Sequence, residues 1–301
     1  MKYYSFSSYL KRKFDQKVWR ICLDPGFGCP NKEGHTGRGG CIYCNESGFS
    51  DIAGKRLPLK DQIEDQISRA RKKRGIEKFI AYFQSGTGTN ARVENLKASY
   101  DVIRDYPEIV GLAVSTRPDC IDDEKLDLIA GYTRDYDVWI EYGVQSVHDN
   151  TLERIGRGHG YDQSKEAIRR TCERGIKSAA HVILGLPGET HHEMVATSTE
   201  LSRLPLWGVK LHVLHVLKDT PLEEDYNKGK LRLLDRGEYV SIACDFIENL
   251  RKDCVILRIL SDARKEFLVA PRWINAKQAV LADIEDEFTK RGTGQGSSNP
   301  S

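Results

Sequence analysis

The chain has 301 residues, 39% of them hydrophobic, and its 46 Lys and Arg stand against 44 Asp and Glu for a net charge of +2. That excludes disorder as the main state and supplies enough chain for one large α/β domain with a sizeable core. No apolar run approaches the ~18 residues of a membrane span, and the opening MKYYSFSSYLKRKF has no apolar stretch suited to a signal peptide, so a cytoplasmic protein without a membrane partner is expected.

From about residue 18, short β-rich runs alternate with helical patterns. Val18–Leu23 reads as a first strand, and Leu59–Arg74 as a helix with Leu59, Ile63, Ile67 and Ala70 on one face and Gly75 as its stop. Lys78–Gln84 is a second strand, followed by a helix marked by Val93, Leu96, Tyr100 and Ile103. Val110–Ser115, Val138–Gly143, Ser178–Gly185 and Val209–Val216 supply strands three to six, with helical patterns between them. This alternation predicts parallel β/α units with right-handed crossovers, and six of them fit a barrel or partial barrel. A helix around Tyr239–Leu250, a strand at Cys254–Leu260 and a helix from about Asn275 to Lys290 follow. The organisation expected is a basic N-terminal arm over 1–14, a core barrel over 15–255 carrying a cysteine loop at 29–44, a C-terminal extension over 256–290, and a disordered Gly/Ser-rich tail over 291–301.

The near-neutral charge hides a skew. Residues 1–74 hold 16 Lys and Arg against 8 Asp and Glu, net +8, leaving 30 against 36 for the remainder, net −6. A basic first quarter suits an anionic partner such as RNA, although surface helices also carry such runs with no partner.

Catalytic groups of a parallel β/α barrel come from the loops after the strands. Here those loops read Cys29-PNKEGHTGRGG-Cys41-Ile-Tyr-Cys44, Gln84-SGTGT-Asn90, Ser115-TRP-Asp119, Gly143-Val-Gln145-Ser146 and Gly185-LPGE-Thr190, and the sixth strand contains His212 and His215. In a reducing compartment the eight cysteines point to metal or redox chemistry rather than disulfides. Cys172, Cys244 and Cys254 read as small buried hydrophobes. Cys41 and Cys44 are close enough for both thiolates to reach one metal centre. Gly34, Gly37, Gly39 and Gly40 let the backbone between Cys29 and Cys41 fold tightly. A [4Fe–4S] cluster normally takes four thiolates, so three cysteines leave one iron free to bind something else. The competing reading is structural zinc, with His35 or Cys22 as the fourth ligand. A zinc knuckle, however, does not need a barrel whose other loops are also polar and glycine-rich.

Cys29…Cys41-Ile-Tyr43-Cys44 resembles the cluster motif of radical S-adenosylmethionine (radical SAM) enzymes, with eleven residues between the first two cysteines in place of the commoner three. A long first spacer occurs in the subgroup related to the Elongator catalytic subunit. The order GRGGCIYC, IAYFQ, STRPD, EYGVQS, ERIGRGH, HVILGLPGET and VKLHVLHV is similar to that subgroup's bacterial YhcC/YtqA-type members, over roughly Asp15 to Trp273. The resemblance implies an α/β fold, a partial (β/α)6 TIM-like radical SAM barrel with a small C-terminal extension. It implies that Cys29, Cys41 and Cys44 hold three irons of a [4Fe–4S] cluster while SAM chelates the fourth, with Tyr43 near the adenine. Gln84 and Ser85 stand where a loop meets the SAM amino group, without the Gly-Gly-Glu of many members. Glu141, Gln145 and Arg157 match polar positions lining the SAM site, and Gly185 a position beside the adenine. For Arg157 and Glu141 the plainer reading is a structural ion pair at the barrel rim.

The reaction implied is reductive cleavage of SAM to a 5′-deoxyadenosyl radical, fed by an electron donor such as flavodoxin or ferredoxin, with hydrogen abstraction from substrate. The subgroup points to tRNA, at a wobble uridine whose carboxymethylaminomethyl group becomes aminomethyl. A radical SAM enzyme acting on a small molecule such as a tetrapyrrole, and a zinc-stabilised RNA-binding protein without catalysis, remain the alternatives. His191 and His192 read as solvated and His181 as a satisfied barrel histidine. His212 faces the opposite side from Leu211 and Val213 and would contact substrate if that side is the barrel interior. Asp262, Arg264, Lys265 and Arg272 would close over the mouth or lie on the surface.

Overall fold

A computed structural model describes residues 1–34, 39–45 and 57–299. The elements run α1 (Phe6–Phe14), β1 (Val18–Leu23), α2 (Leu59–Arg74), β2 (Lys78–Phe83), α3 (Val93–Asp101), β3 (Ile109–Thr116), α4 (Asp123–Ala130) and β4 (Asp137–Gln145). They continue with α5 (Asp149–Arg154), α6 (Tyr161–Glu173), β5 (Lys177–Leu184), α7 (His191–Ser202), β6 (Gly208–Val213), β7 (Val216–Leu217) and α8 (Pro221–Asn227). Last come α9 (Arg236–Glu248), β8 (Val255–Arg258), β9 (Leu268–Ala270) and α10 (Lys277–Arg291).

Seven strands form one parallel sheet in the order β1-β2-β3-β4-β5-β6-β8. The sheet curls into a half-barrel whose two end strands are not paired with each other. The strand expected to open the C-terminal extension is therefore the seventh barrel strand, and the run Val209–Val216 splits into β6 and the short β7, which pairs antiparallel with β9.

Alternation along each strand sorts the side chains. Ile21, Leu23, Phe79, Phe83, Leu112, Val114, Ile140, Tyr142, Val182, Leu184, Val209 and Leu211 face the outer helices and are buried with them in one core. On α2, Ile63, Ile67 and Ala70 complete that layer, and the helix stops at Gly75 in left-handed backbone with φ 62°. Capping boxes at Thr190–Glu193 and Asp235–Glu238 start α7 and α9, each cap worth about 1 kcal/mol.

The inner face is a second layer. Ile80, Tyr82, Ala113, Trp139, Ala179, Val255 and Leu257 pack with Phe6, Tyr9 and Leu10 of α1. The segment expected as a basic arm thus plugs the bottom of the half-barrel with its apolar face. The Phe6 ring lies 5.6 Å from Trp139 and the Tyr9 ring 4.9 Å from Trp207. Tyr9 Oη donates to Asp137 Oδ2 at 2.8 Å, and Lys13 and Lys177 pair with the same carboxylate. Burial alone would raise the Asp137 pKa, but the two lysines outweigh it and hold the group below the usual carboxylate range.

The expected disordered tail is also corrected through residue 299. Gln295 Nε2 donates to the carbonyls of Arg251 and Cys254, its Oε1 accepts from the Tyr4 N–H, and the Ser298 N–H donates to Glu248 O. These side-chain and backbone bonds order a segment that has no apolar pattern. Among the described residues, no helix is long and apolar enough to cross a membrane.

Candidate active site

The loops after the strands enclose a cavity of about 880 Å³. Cys29, Cys41 and Cys44 line one wall together with Tyr43, Gln84, Ser85, Gln145 and Arg157. The structure therefore brings eight of the ten expected site residues to one space.

The cysteine loop is strapped to the barrel. The Ile42 N–H donates to Ile155 O, the Leu222 N–H to Ile42 O, and the Cys44 N–H to Cys41 O. Asn31 Nδ2 donates to Gly156 O at 2.9 Å and to Cys41 Sγ at 3.4 Å. Arg157, only 6% exposed, donates through Nη1 to the same sulfur at 3.8 Å and through Nη2 to Gly143 O at 2.6 Å. A Cβ at position 143 would lie 2.5 Å from Arg157 Nη2, which is why glycine stands there. Gln145 at the strand end has φ 72°, a left-handed conformation costing a non-glycine residue on the order of 1 kcal/mol or more. The sequence STRPD also finds its reason: Arg117 clamps Asp119 through Nε and Nη2 at 2.9 and 2.8 Å and bonds Arg157 O at 3.0 Å.

Five buried polar atoms lining the cavity have no hydrogen-bond partner among the described residues: Asn31 Oδ1, Ser85 Oγ, Thr87 Oγ1, Arg117 Nη1 and Arg157 Nε. Each would cost about 1–3 kcal/mol if it stayed unpaired. A wall with three thiols, two guanidinium groups and open hydroxyl and amide atoms fits an iron–sulfur cluster bearing an anionic, polar ligand.

Two expected residues are placed elsewhere. Glu141 is fully buried below the cavity floor, where Tyr82 Oη (2.7 Å), His181 Nε2 (2.6 Å) and Lys210 Nζ (3.0 Å) donate to Oε2 and Trp139 Nε1 (2.9 Å) to Oε1. Arg20 lies 3.6 Å away. Glu141 faces the barrel interior, but four residues at ~3.3 Å each set it well below Gln145 at the strand end. Gly185 lies outside the lining; its φ of 86° and the Leu234 side chain, 3.0 Å from where a Cβ would be, account for glycine there.

Of the cavity floor, the sequence singles out His181 and His212 but not Tyr82, Lys210 or Arg258. Tyr82, His181, Lys210, His212 and Arg258 line it. Lys210 is 4% exposed and donates to Tyr82 Oη at 2.8 Å as well as to Glu141. Burial pushes its pKa down to about 8 against the opposing charge of Glu141, so it remains an ammonium at neutral pH. Burial and Lys210 push His181 down to about 4, and burial with His181 and Lys210 holds His212 well below the ordinary value, so both rings are neutral. The Glu141 carboxyl, which burial would raise, is held far below the usual range by Lys210 and His181. The signal available in VKLHVLHV was parity: Lys210 shares the inward side with His212.

The remaining cysteines are not part of this wall. Burial raises Cys172 to about 11 and Cys244 and Cys254 to about 12, leaving them inert thiols. Cys22, the proposed alternative zinc ligand, lies on β1 outside the lining, and His35 lies outside the described residues. Of the expected mouth residues, Asp262 reaches the lining, paired with Arg258 at 3.2 Å. Among the described residues no three His, Cys, Asp or Glu side chains converge as a single-ion site.

Comparison with known proteins gives the family. The model of the Radical SAM superfamily matches residues 25–201, and that of the Radical_SAM C-terminal domain residues 206–290. Uncharacterized protein MJ0486 of Methanocaldococcus jannaschii is 43% identical over 296 residues, 97% of this chain and 90% of that protein. Uncharacterized protein YtqA of Bacillus subtilis is 36% identical, with 98% of this chain and 92% of that protein covered. More distantly, tRNA uridine(34) acetyltransferase of Dehalococcoides mccartyi is 28% identical over 186 residues, 60% of this chain and 39% of that protein. Among solved structures, the archaeal Methanocaldococcus infernus Elp3 superposes with a TM-score of 0.69 at 17% identity, over 92% of this chain and 64% of that one, a likeness of fold.

Proposed function

The chain belongs to the radical SAM superfamily, whose enzymes bind a [4Fe–4S] cluster and SAM, and from that premise we propose that it modifies tRNA at a wobble uridine, converting a carboxymethylaminomethyl group to aminomethyl. The observation that carries the reading is the wall of three cysteines and five unpartnered buried polar atoms on one cavity. The distant similarity to a tRNA uridine(34) acetyltransferase and the basic first quarter of the chain support the choice of tRNA.

Held by this wall, a [4Fe–4S] cluster with SAM would supply one-electron radical chemistry able to take hydrogen from an unactivated carbon. The chain's own residues set the stage for that chemistry. Cys29, Cys41 and Cys44 would hold the irons, and the Asn31 amide and Arg157 guanidinium, both donating to Cys41 Sγ, would fix that sulfur's position. Gln84, Ser85, Thr87, Gln145 and Arg157 Nε offer the polar atoms that orient the amino acid and ribose parts of SAM, and Tyr43 an aromatic face for the adenine. The plugged barrel bottom and the apolar layer above it close the lower end of the reaction space to water. A low-potential carrier such as flavodoxin or ferredoxin would supply the electron.

Anaerobic reconstitution with iron and sulfide, followed by dithionite, SAM and tRNA, tests the reading. Aminomethyluridine should appear at the expense of carboxymethylaminomethyluridine, together with 5′-deoxyadenosine from the abstracted hydrogen and the two lost carbons as an oxo acid, water supplying its oxygen and the electron carrier taking back one electron. Unchanged nucleosides with vigorous 5′-deoxyadenosine formation would move the substrate to another class.

A further inference from the structure

The cavity floor is chemically unlike the cysteine wall and carries none of the three cysteines. Three cations, Arg20, Lys210 and Arg258, lie at or just beneath it against the Glu141 carboxylate, while Asp262, nearer the mouth, is shared between Arg258 and Lys277. An ammonium has three N–H donors, and Lys210 spends two of them on Tyr82 and Glu141. The third belongs to a residue that lines the cavity. His212 makes no hydrogen bond among the described residues; its ring packs 5.5 Å from His181 and also lines the cavity. His181 gives its Nε2–H to Glu141, so in the neutral ring Nδ1 is left as a lone-pair acceptor. The floor thus holds an ammonium N–H, an imidazole and a guanidinium as donors, one acceptor beside them, and a surplus of positive charge.

We propose that the floor is a subsite for a compact carboxylate group of the substrate, held by Lys210, His212 and Arg258, with His181 Nδ1 accepting from a neighbouring N–H such as that of an aminocarboxylate. A buried ammonium with a spare donor gains most from an anion that completes its partners, because charge-assisted bonds are strongest where water is excluded. The floor lies inside the barrel, beneath the strand ends, so a slender side group reaches it and a polynucleotide backbone does not. This subsite rests on the reading of the cavity as the reaction chamber, and it makes the four floor residues determinants of which substrate is accepted.

The test uses the reconstituted protein with SAM present, so that sites on the cysteine wall are filled. Acetate, glycine and inorganic phosphate are titrated at constant ionic strength against chloride, and binding is read from the imidazole signals of His181 and His212 by nuclear magnetic resonance. Saturable shifts with acetate, and tighter binding of glycine, are expected. Because Lys210→Met alone strands a buried carboxylate, the informative variant is the charge-matched Lys210→Met/Glu141→Gln, which should weaken binding at least about tenfold while keeping the fold; His212→Phe should weaken it severalfold. Phosphate binding better than both carboxylates, binding unchanged in the double variant, or no shift in the wild type overturns the subsite. Formation of 5′-deoxyadenosine in the same samples separates the two claims: its absence alongside retained carboxylate binding sinks the radical reading and leaves the subsite standing.

Discussion

The buried pair Lys210–Glu141 yields a quantitative prediction. Both side chains are 4% exposed or less, with Nζ and Oε2 at 3.0 Å. Removing one partner of such a pair costs about 3–5 kcal/mol, because the survivor keeps its desolvation penalty without its counter-charge. Unfolding entropy of about 2.1 cal/mol/K per residue gives this chain roughly 0.6 kcal/mol/K, so Lys210→Met should lower the melting midpoint by about 5–8 °C. Glu141→Gln should cost less, since Lys210 can shed its proton and the amide oxygen can still accept from Tyr82 or Trp139. The double variant should recover most of the loss, giving a coupling energy of about 2–3 kcal/mol in a double-mutant cycle. Differential scanning calorimetry of the four proteins at neutral pH provides the numbers. A midpoint unchanged in Lys210→Met, or a double variant as unstable as the sum of the singles, would refute the account of Lys210 and Glu141 as a coupled buried ion pair.

Three further outcomes follow from the same structure. His159 and His181, with pKa values pushed down to about 3 and about 4, are buried neutral, so between their ordinary value of 6.5 and those folded values the unfolded chain binds more protons. Stability should therefore fall as the pH drops from 6.5 towards 4, read as a lower denaturant midpoint at pH 5 than at pH 7; a higher midpoint at pH 5 would contradict this. Gly86 has φ 64°, and a Cβ there would lie 2.3 Å from Gly28 O, the acceptor of the Thr87 N–H, so Gly86→Ala should cost about 1–3 kcal/mol and reduce iron uptake by loosening the cysteine loop. Cys41→Ala should abolish stable cluster assembly by iron and sulfide assay, whereas Cys172→Ala should bind iron and sulfide as the parent does.

The parallel β/α order was legible because each strand is a short apolar run and each helix repeats at 3.6 residues, as in KFIAYF and the Ile63, Ile67 and Ala70 face. The cysteine wall was legible because its residues are grouped in loops. What escaped was depth. Period-two alternation says which side of a strand a residue faces but not how far below the mouth it lies, so Glu141 was expected at the cofactor and sits under the floor. Lys210 was passed over although it shares parity with His212, because a lysine in an apolar strand reads as a solvated edge until its partners on β2, β4 and β5 are known. The order of the N-terminal segment and of the tail comes from long-range contacts, Phe6 to Trp139 and Gln295 to Tyr4, Arg251 and Cys254, which no local pattern announces.

The central claim is that the three-cysteine wall supports radical chemistry on SAM. Its most direct test is the yield of 5′-deoxyadenosine when the anaerobically reconstituted protein is given dithionite and SAM. The account predicts formation that depends on reductant, is lost in Cys41→Ala, and persists at a reduced rate in Arg157→Lys. A fully loaded cluster that yields no 5′-deoxyadenosine would contradict it.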